Sequence, residues 1–193
     1  MNKNWKIFKK KILHDGFYKY NEISFKHKKH NGKWTDLLTH EIFGGAHVAS
    51  VLPYDPIKKK IILVNQFRPG VLKQGFNPLL LEVVAGIIDK NESPEKVAIR
   101  ECKEETGCEA KNLKKICSYF PSPGSSESYY NLFLAEVESF EKKRIEGKQN
   151  ENEDILAQSY NVKEVKKLLE EGKISNSLTI IALQWFFLNY YKD

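Results

Sequence analysis

Cysteine is scarce in this chain of 193 residues, and its three cysteines are not arranged in pairs. Cys102, Cys108 and Cys117 include no Cys-x-x-Cys motif, which excludes a zinc ribbon, and their odd number excludes a complete disulfide framework. Unpaired thiols are typical of proteins in a reducing compartment. We therefore expect a cytoplasmic protein.

Long hydrophobic runs are also lacking. The most apolar stretch, residues 178–191, is interrupted by Gln184 and Asn189 and is shorter than the roughly 20 residues that a bilayer span needs. The opening MNKNWKIFKKK carries positive charge with no apolar segment after it, which argues against a signal peptide. These features predict a buried C-terminal helix and no association with a membrane.

Repeats and low-complexity tracts are absent, and acidic residues are fewer than basic ones. The chain has 31 Lys and Arg against 25 Asp and Glu, for a net charge of +6. Its lysines lie in short runs at residues 6–11, 26–29 and 58–60, without the aromatic platform that reads nucleic acids. We interpret them as solvated surface that helps to attract an anionic substrate, and a nucleic-acid partner is not expected.

The hydrophobic pattern predicts strands first and helices later. Alternation over 17–26 followed by Asn31-Gly32 predicts a small antiparallel strand unit in residues 1–43, ahead of a main domain in 44–193. The runs AHVASVLPY and IILVNQF, separated by Asp55-Pro56, predict a second hairpin. A buried strand is predicted at LLLEVVA, further strands at 113–120, 129–137 and 155–160, and helices at 162–171 and 177–191. The fold class is therefore an α/β or α+β sandwich.

One further helix is bounded by its own signals and carries a cluster of carboxylates. Ser93-Pro94 is a typical N-cap and first helical position, and Gly107 stands where a helix ends. Between them, Glu101, Glu104 and Glu105 are neighbours at i, i+3 and i+4, where like charges repel. An acidic helix face of this kind is often simply exposed to solvent and has no functional role. A hard divalent cation is the natural partner if it is a site.

The spacing around that helix is more specific than a charge cluster. In GIIDKNESPEKVAIRECKEETGC, residues 86–108, the fixed glycines, Glu92, Arg100 and the three glutamates resemble the Nudix box at every fixed position, with cysteines in its aliphatic slots. The resemblance implies an α/β/α sandwich with a mixed sheet, and hydrolysis of a nucleoside diphosphate linked to another group. It also implies Mg²⁺ or Mn²⁺ as the cofactor.

The same resemblance assigns roles within and beside the box. It implies that metal is held by the carbonyl of Ala85 and the carboxylates of Glu101 and Glu105, with Glu104 close to the chemistry. It also implies that Glu92 and Arg100 brace the loop against the helix by an ion pair. A solvated acidic face with Arg100 and Lys103 as local partners is the simpler alternative.

Segments outside the box narrow the resemblance to the bacterial ADP-ribose pyrophosphatases, which convert ADP-ribose to AMP and ribose 5-phosphate. They are QFRPG at 66–70, LLEVVAG at 80–86, SPGSSE at 122–127, ENEDI at 151–155 and EGKISNSLTIIALQW at 171–185. The alternatives are a GDP-mannose pyrophosphatase, which shares similar segments, and a non-catalytic Nudix module that senses a ligand or binds RNA. The intact glutamates argue against the second alternative.

This narrower resemblance implies a set of substrate contacts and a catalytic base. It assigns substrate binding to Arg68, Glu82, Ser122, Pro123, Gly124 and Glu127, the general base to Glu151, and a further metal contact to Glu153. It further implies a homodimer in which Phe17 and Tyr18 stack on the adenine across the interface. The alternative is that both aromatics fill the core, which is common for Phe and less so for Tyr. His40 and Gly45 replace basic residues of the similar enzymes, which places the base-binding contacts in doubt.

Overall fold

The computed structural model describes residues 4–148 and 152–192, and these form two compact units. The first unit contains the chain up to His47 together with Phe120–Tyr129. The second contains Val48–Tyr119 and the chain from Tyr130 onward. The boundary between residues 43 and 44 stays a sequence-based prediction. None of the described helices has the length and apolarity that crossing a membrane requires.

The first unit is built on a three-stranded antiparallel sheet. Its strands run in the order β1 (Trp5–Asp15), β2 (Lys19–His27) and β3 (Leu38–Phe43). The predicted turn at Asn31-Gly32 is present, because Gly32 has a φ of 82° and its N–H donates to the Lys29 carbonyl. The end of β3 also pairs with the 120–129 segment through a parallel bridge between Phe43 and Ser126.

An eight-stranded sheet organises the second unit. Its main path follows the order β10-β11-β5-β4-β9-β8, with β6 paired to β5 and β7 paired to β4. The strands are β4 (His47–Asp55), β5 (Lys60–Phe67), β6 (Leu79–Glu82), β7 (Val84–Ile87), β8 (Lys111–Tyr119), β9 (Tyr129–Glu136), β10 (Arg144–Glu146) and β11 (Ile155–Asn161).

Successive side chains of the sheet strands pack alternately into two separate hydrophobic cores, one on each face of the sheet. Ile62 and Val64 of β5 pack with Val97 and Cys102 of the helix α1 (Pro94–Thr106), whereas Ile61 and Leu63 belong to the opposite core. That opposite core contains the helices α2 (Val162–Glu170) and α3 (Ser177–Trp185). Because successive side chains of a strand point to opposite faces, a sheet with two apolar faces must be covered by helices on both. The unit is therefore an α/β/α sandwich.

The predicted signals of α1 determine where it begins and ends. Ser93 is the N-cap and its hydroxyl accepts a hydrogen bond from the Lys96 N–H at 3.3 Å, and Pro94 is the first helical residue. Gly107 ends the helix with a φ of 67°, and its N–H donates to the Lys103 carbonyl at 2.8 Å. The three glutamates are thereby presented on one rigid helix.

The predicted strand LLLEVVA is interrupted in the structure. β6 pairs with β5 and β7 pairs with β4, so the chain changes partner at Val83. The N–H of Val83 donates instead to the hydroxyl of Thr179 in α3, at 2.9 Å. Because the Thr179 hydroxyl accepts this hydrogen bond, the buried N–H of Val83 keeps a partner at the point where the strand-to-strand hydrogen bonding is interrupted.

Candidate active site

The glutamates of α1 surround the guanidinium of Arg100. Nη1 of Arg100 donates to Glu101 Oε1 at 2.7 Å and to Glu104 Oε2 at 2.9 Å, and Nη2 lies 3.4 Å from Glu92 Oε2. Lys148 adds a second cation 3.3 Å from Glu104 Oε2. Arg100 therefore ties the loop before α1 to the helix and offsets part of the repulsion among the carboxylates.

Glu101 lies directly across the backbone of Gly86. A Cβ atom at position 86 would fall 2.0 Å from Glu101 Oε1 and 2.4 Å from its Cγ. Only glycine leaves room for this carboxylate between α1 and β7. Burial raises the pKa of Glu101, Arg100 lowers it, and the charge of Glu104 raises it again, with a net increase.

Glu105 is the most deeply buried of the three glutamates and has an unpartnered oxygen. It is 5 % exposed, and within the described residues its Oε2 accepts no hydrogen bond. Burial, followed by the charge of Glu101, raises its pKa well above the usual range, while Arg68 opposes the shift. A buried carboxylate in this state is stabilised by a cation or by a proton.

These features fit a hard divalent cation. Carboxylate oxygens and the backbone at Ala85, whose amide also helps to lower the pKa of Glu105, form an oxygen-rich environment of the kind such ions prefer. Across residues 4–148 and 152–192 no three acidic, histidine or cysteine side chains already converge as a metal cluster, because Glu101 and Glu104 turn toward Arg100. Binding of a metal by Glu101 would require this carboxylate to exchange Arg100 for the ion.

A second constellation joins β5, β6 and α3. The buried carboxylate of Glu82 accepts two hydrogen bonds on Oε2 from Arg68, from Nε at 3.0 Å and Nη2 at 2.7 Å. Its Oε1 accepts a third, at 2.9 Å, from Nδ2 of Asn176. Burial by itself would lower the pKa of Arg68, but Glu82, with additional contributions from Glu105 and Glu153, raises it. Arg68 is therefore a fixed cation within the field of the α1 carboxylates.

The loop before β11 contributes one described candidate. Oε2 of Glu153 accepts a hydrogen bond from the backbone N–H of Lys148 at 3.1 Å, and its charge acts on both Arg68 and Glu105. Glu151, the predicted base, lies outside the described residues. The second unit thus brings together the following predicted residues: Arg68, Glu82, Ala85, Glu101, Glu104, Glu105 and Glu153.

The remaining predicted residues belong to the first unit. Ser122, Pro123 and Gly124 form a turn in which the Ser122 carbonyl accepts from the N–H groups of Ser125 and Ser126. Glu127 lies 3.4 Å from Lys10 Nζ. This segment is therefore a turn in the structure, as its Ser-Pro-Gly sequence predicts.

Phe17 and Tyr18 are both at the surface of the first unit. Phe17 is 86 % exposed, its ring packs edge-on against Tyr18 at 4.7 Å, and Tyr18 contacts Phe43. Gly45 has a φ of 61°, and a Cβ there would lie 2.1 Å from the Ser128 hydroxyl, so a basic residue does not fit this backbone. His40 packs edge-on against Phe25.

Sequence reasoning missed Asn176, Thr179 and Lys148. Asn176 and Thr179 lie in the segment 171–185, which the sequence connects with the subfamily and with apolar packing but with no contact to the site. They contact β6 and Val83 from more than 90 positions away along the chain. The sequence does predict one role for Asn176: in Ser-Asn-Ser at 175–177 it stands immediately before an apolar helix, where an N-cap is expected. Its long-range contact to Glu82 has no local signature.

Comparison with known proteins places these features in a family. The model of the Nudix domain matches residues 46–179. The chain is 38 % identical over 187 residues to an ADP-ribose pyrophosphatase of Haemophilus influenzae, covering 95 % of this chain and 86 % of that protein. It is 28 % identical over 193 residues to a GDP-mannose pyrophosphatase of Salmonella arizonae, covering 98 % of both. A crystal structure of an ADP compounds hydrolase superposes with a TM-score of 0.71 at 19 % identity, covering 96 % of this chain and 93 % of that one. The predicted fold class is confirmed.

Proposed function

The chain belongs to the Nudix family, and from this membership we propose that it hydrolyses ADP-ribose to AMP and ribose 5-phosphate. One observation carries the proposal: Glu105 is buried on α1 with an unpartnered oxygen, close enough to the fixed cation Arg68 for each to shift the pKa of the other. A metal cation and a fixed guanidinium side by side would provide two positive charges, which complement the negative charge of a pyrophosphate. The identity of 38 % to an ADP-ribose pyrophosphatase supports the choice of substrate.

Nudix hydrolases act with a divalent metal, and here we assign Mg²⁺, with Mn²⁺ as the substitute. The oxygens of Glu101, Glu105 and Glu153 and the carbonyl of Ala85 would hold it. When bound, the metal offsets the negative charge of the pyrophosphate and of the buried carboxylates. Arg100 and Lys148 would then retain Glu104 at the edge of the site.

The protein groups divide the remaining work. Arg68 donates its outer N–H groups to a phosphate oxygen, because its inner edge is already held by Glu82. Glu151, with Glu104 nearby in the same proposal, accepts a proton from the attacking water. The oxygen of that water forms a bond to phosphorus as the bridging P–O bond breaks, and the released phosphate carries away the bond electrons.

Substrate selection is assigned to the first unit and to a homodimer. Phe17 and Tyr18 stack on the adenine of the substrate held by a partner subunit, and Ser122, Pro123, Gly124 and Glu127 contact its ribose or phosphates. The 86 % exposure of Phe17 supports this role over core packing. The three free thiols are consistent with action in the cytoplasm.

GDP-mannose hydrolysis is the second candidate, because a GDP-mannose pyrophosphatase is 28 % identical over nearly the whole chain. The deciding experiment incubates the protein and Mg²⁺ with ADP-ribose, GDP-mannose or NADH and separates the products by chromatography. We expect AMP and ribose 5-phosphate to form at the highest kcat/KM. Faster release of GMP from GDP-mannose would reverse the assignment, and labelled RNA bound without hydrolysis of any of the three would replace it by the non-catalytic alternative.

A further inference from the structure

The amide of Asn176 lies between the N-terminus of α3 and the carboxylate of Glu82. Its Oδ1 accepts hydrogen bonds from the Thr179 N–H at 3.1 Å and from the Thr179 hydroxyl at 3.2 Å. Its Nδ2 donates to Glu82 Oε1 at 2.9 Å. A carboxylate can only accept and a backbone N–H can only donate, so a flipped amide would lose both contacts. The orientation of the amide is therefore fixed.

The hydroxyl of Thr179 holds this amide from the other side. It accepts the N–H of Val83 at 2.9 Å and donates to Asn176 Oδ1. Val83 directly follows Glu82, so the strand that carries the carboxylate and the amide that contacts it are fastened to the same threonine. Glu82 and Thr179 are both at most 2 % exposed, which makes every group in this chain of contacts costly to leave unpaired.

The consequence reaches Arg68 through the two oxygens of Glu82. Asn176 occupies Oε1, so Oε2 is the oxygen that receives both Nε and Nη2 of Arg68. Among residues 4–148 and 152–192, Nη1 of Arg68 makes no hydrogen bond, and the side chain is 39 % exposed. The inner edge of the guanidinium is thus held while its outer edge remains available to a ligand.

We propose that Asn176 is a positioning residue for substrate binding, acting through Glu82 to orient Arg68 toward a phosphate oxygen; this rests on the proposed function, in which Arg68 binds the pyrophosphate. Only an amide suits the position. Serine and aspartate cap helices as well as asparagine does, but serine offers one short polar atom and aspartate would face Glu82 with a second negative charge. Holding the Arg68 guanidinium in its binding orientation improves affinity, because the side chain then loses less conformational entropy when the phosphate binds.

The test is a double-mutant cycle on the full-length protein with Mg²⁺ and ADP-ribose. Asn176→Ser should keep the helix cap, raise KM about tenfold and change kcat less than about twofold, since binding shared by ground and transition states is lost. Asn176→Asp should raise KM further and melt below Asn176→Ser, because its carboxylate would face the buried Glu82 with a second negative charge. Asn189→Ser is the matched control, because Asn189 is exposed in the π-helical turn Phe186–Tyr190 that follows α3, where its amide donates to the Trp185 carbonyl. It should leave KM unchanged.

The second arm repeats Asn176→Ser in an Arg68→Lys background, which retains the charge and removes the fork. Arg68→Lys should itself raise KM, and adding Asn176→Ser should then change KM less than about twofold. Full additivity of the two effects, or a wild-type KM for Asn176→Ser, would overturn the inference while leaving the role of Arg68 intact. A wild-type KM for Arg68→Lys would instead overturn the proposed phosphate contact and the inference with it.

Discussion

At the scale of single residues, the ionisation of Glu105 should set the stability of the metal-free protein. Its raised pKa, caused first by burial and then by Glu101, means that the fold favours the protonated acid. Ionisation of Glu105 therefore lowers the stability of the fold as the pH rises above about 4.3, the pKa of a glutamate in the unfolded chain. The loss reaches its full size once the pH exceeds the pKa of Glu105 in the folded protein. Glu105→Gln should melt higher than the wild type at pH 8 in a chelator, and this advantage should vanish as the pH falls toward 4.

Adding Mg²⁺ should reverse that order. The wild type gains stability from a ligand bound only by the folded state, whereas the glutamine variant has lost a charged oxygen donor. Activity should fall by more than the roughly 10–100-fold typical of residues that merely support a metal ligand. Turnover of the variant at the wild-type rate, or a melting advantage that persists at low pH, would contradict the assignment of Glu105.

Gly86→Ala tests the position of Glu101. The new Cβ would lie 2.0 Å from Glu101 Oε1, so the flexible carboxylate must move away while the fold is retained. A displacement of about 1 Å at a catalytic group can cost about 10²-fold in rate, and we expect a loss of this order with a higher Mg²⁺ requirement. Gly70→Ala is the control, because a Cβ at Gly70 meets no atom within 4 Å. Equal rates for the two variants would show that Glu101 is not held where the metal needs it.

At the scale of elements, two glycines near the ends of helices differ only in their surroundings. Gly107 after α1 and Gly172 after α2 both have a φ of 67°, but a Cβ at Gly107 would lie 2.8 Å from Arg144 Nη1, whereas one at Gly172 meets open space. Gly172→Ala should cost about 1 kcal/mol of unfolding free energy from backbone strain alone. Gly107→Ala should cost more because Arg144 must also move, and urea unfolding measures the difference. Equal losses for the two variants would mean that the Arg144 side chain moves aside without a loss of stability.

The hairpin of β4 and β5 contains a buried carboxylate that should govern acid stability. Burial raises the pKa of Asp55, but N–H groups of Lys58, Ser139 and Ile57 and the Ser139 hydroxyl outweigh it, so the pKa is lowered. The stabilisation is present above the unfolded pKa of about 3.9 and is lost as the pH falls through the folded value.

Asp55→Asn should therefore destabilise the protein at pH 7 by about 1.5–3 kcal/mol, the usual worth of a hydrogen bond to a charged group. The difference from the wild type should narrow as the pH falls below 4, which urea titrations at several pH values can measure. A difference independent of pH would indicate that the amide fits poorly and that charge plays no part.

Elements with local signals were predictable, and contacts across the chain were not. Ser93, Pro94 and Gly107 placed both ends of α1, because caps act through bonds to residues three or four positions away. β1 lies within the strand unit predicted for residues 1–43, but its bounds were not predictable, because its apolar residues do not alternate regularly with its lysines. The site divides in the same way: the glutamates of α1 follow from their spacing, whereas the Glu82–Asn176 contact joins residues 94 positions apart and requires the folded sheet.

At the scale of the whole molecule, the proposed homodimer links assembly to substrate affinity. Phe17→Ala together with Tyr18→Ala should raise KM for ADP-ribose more than it lowers kcat, because stacking stabilises ground and transition states alike. Base stacking on an aromatic side chain is worth about 1–3 kcal/mol, which corresponds to roughly 5- to 150-fold in affinity. Light scattering that finds an active monomer, or a double variant with wild-type KM, would remove this proposal.

The exposure of every residue of β1 also bears on how the protein behaves at high concentration. β1 is the outer strand of the three-stranded sheet and carries Ile7, Phe8 and Ile12 at 50–60 % exposure, so its outer edge is a template onto which strands of other chains can add. Lys6, Lys9, Lys10 and Lys11 lie along the same strand, and their mutual repulsion makes each open-ended addition unfavourable. Salt shortens the range of that repulsion from about 10 Å at 0.1 M to about 3 Å at 1 M. The lysines of β1 thus act as a barrier to aggregation that weakens as ionic strength rises.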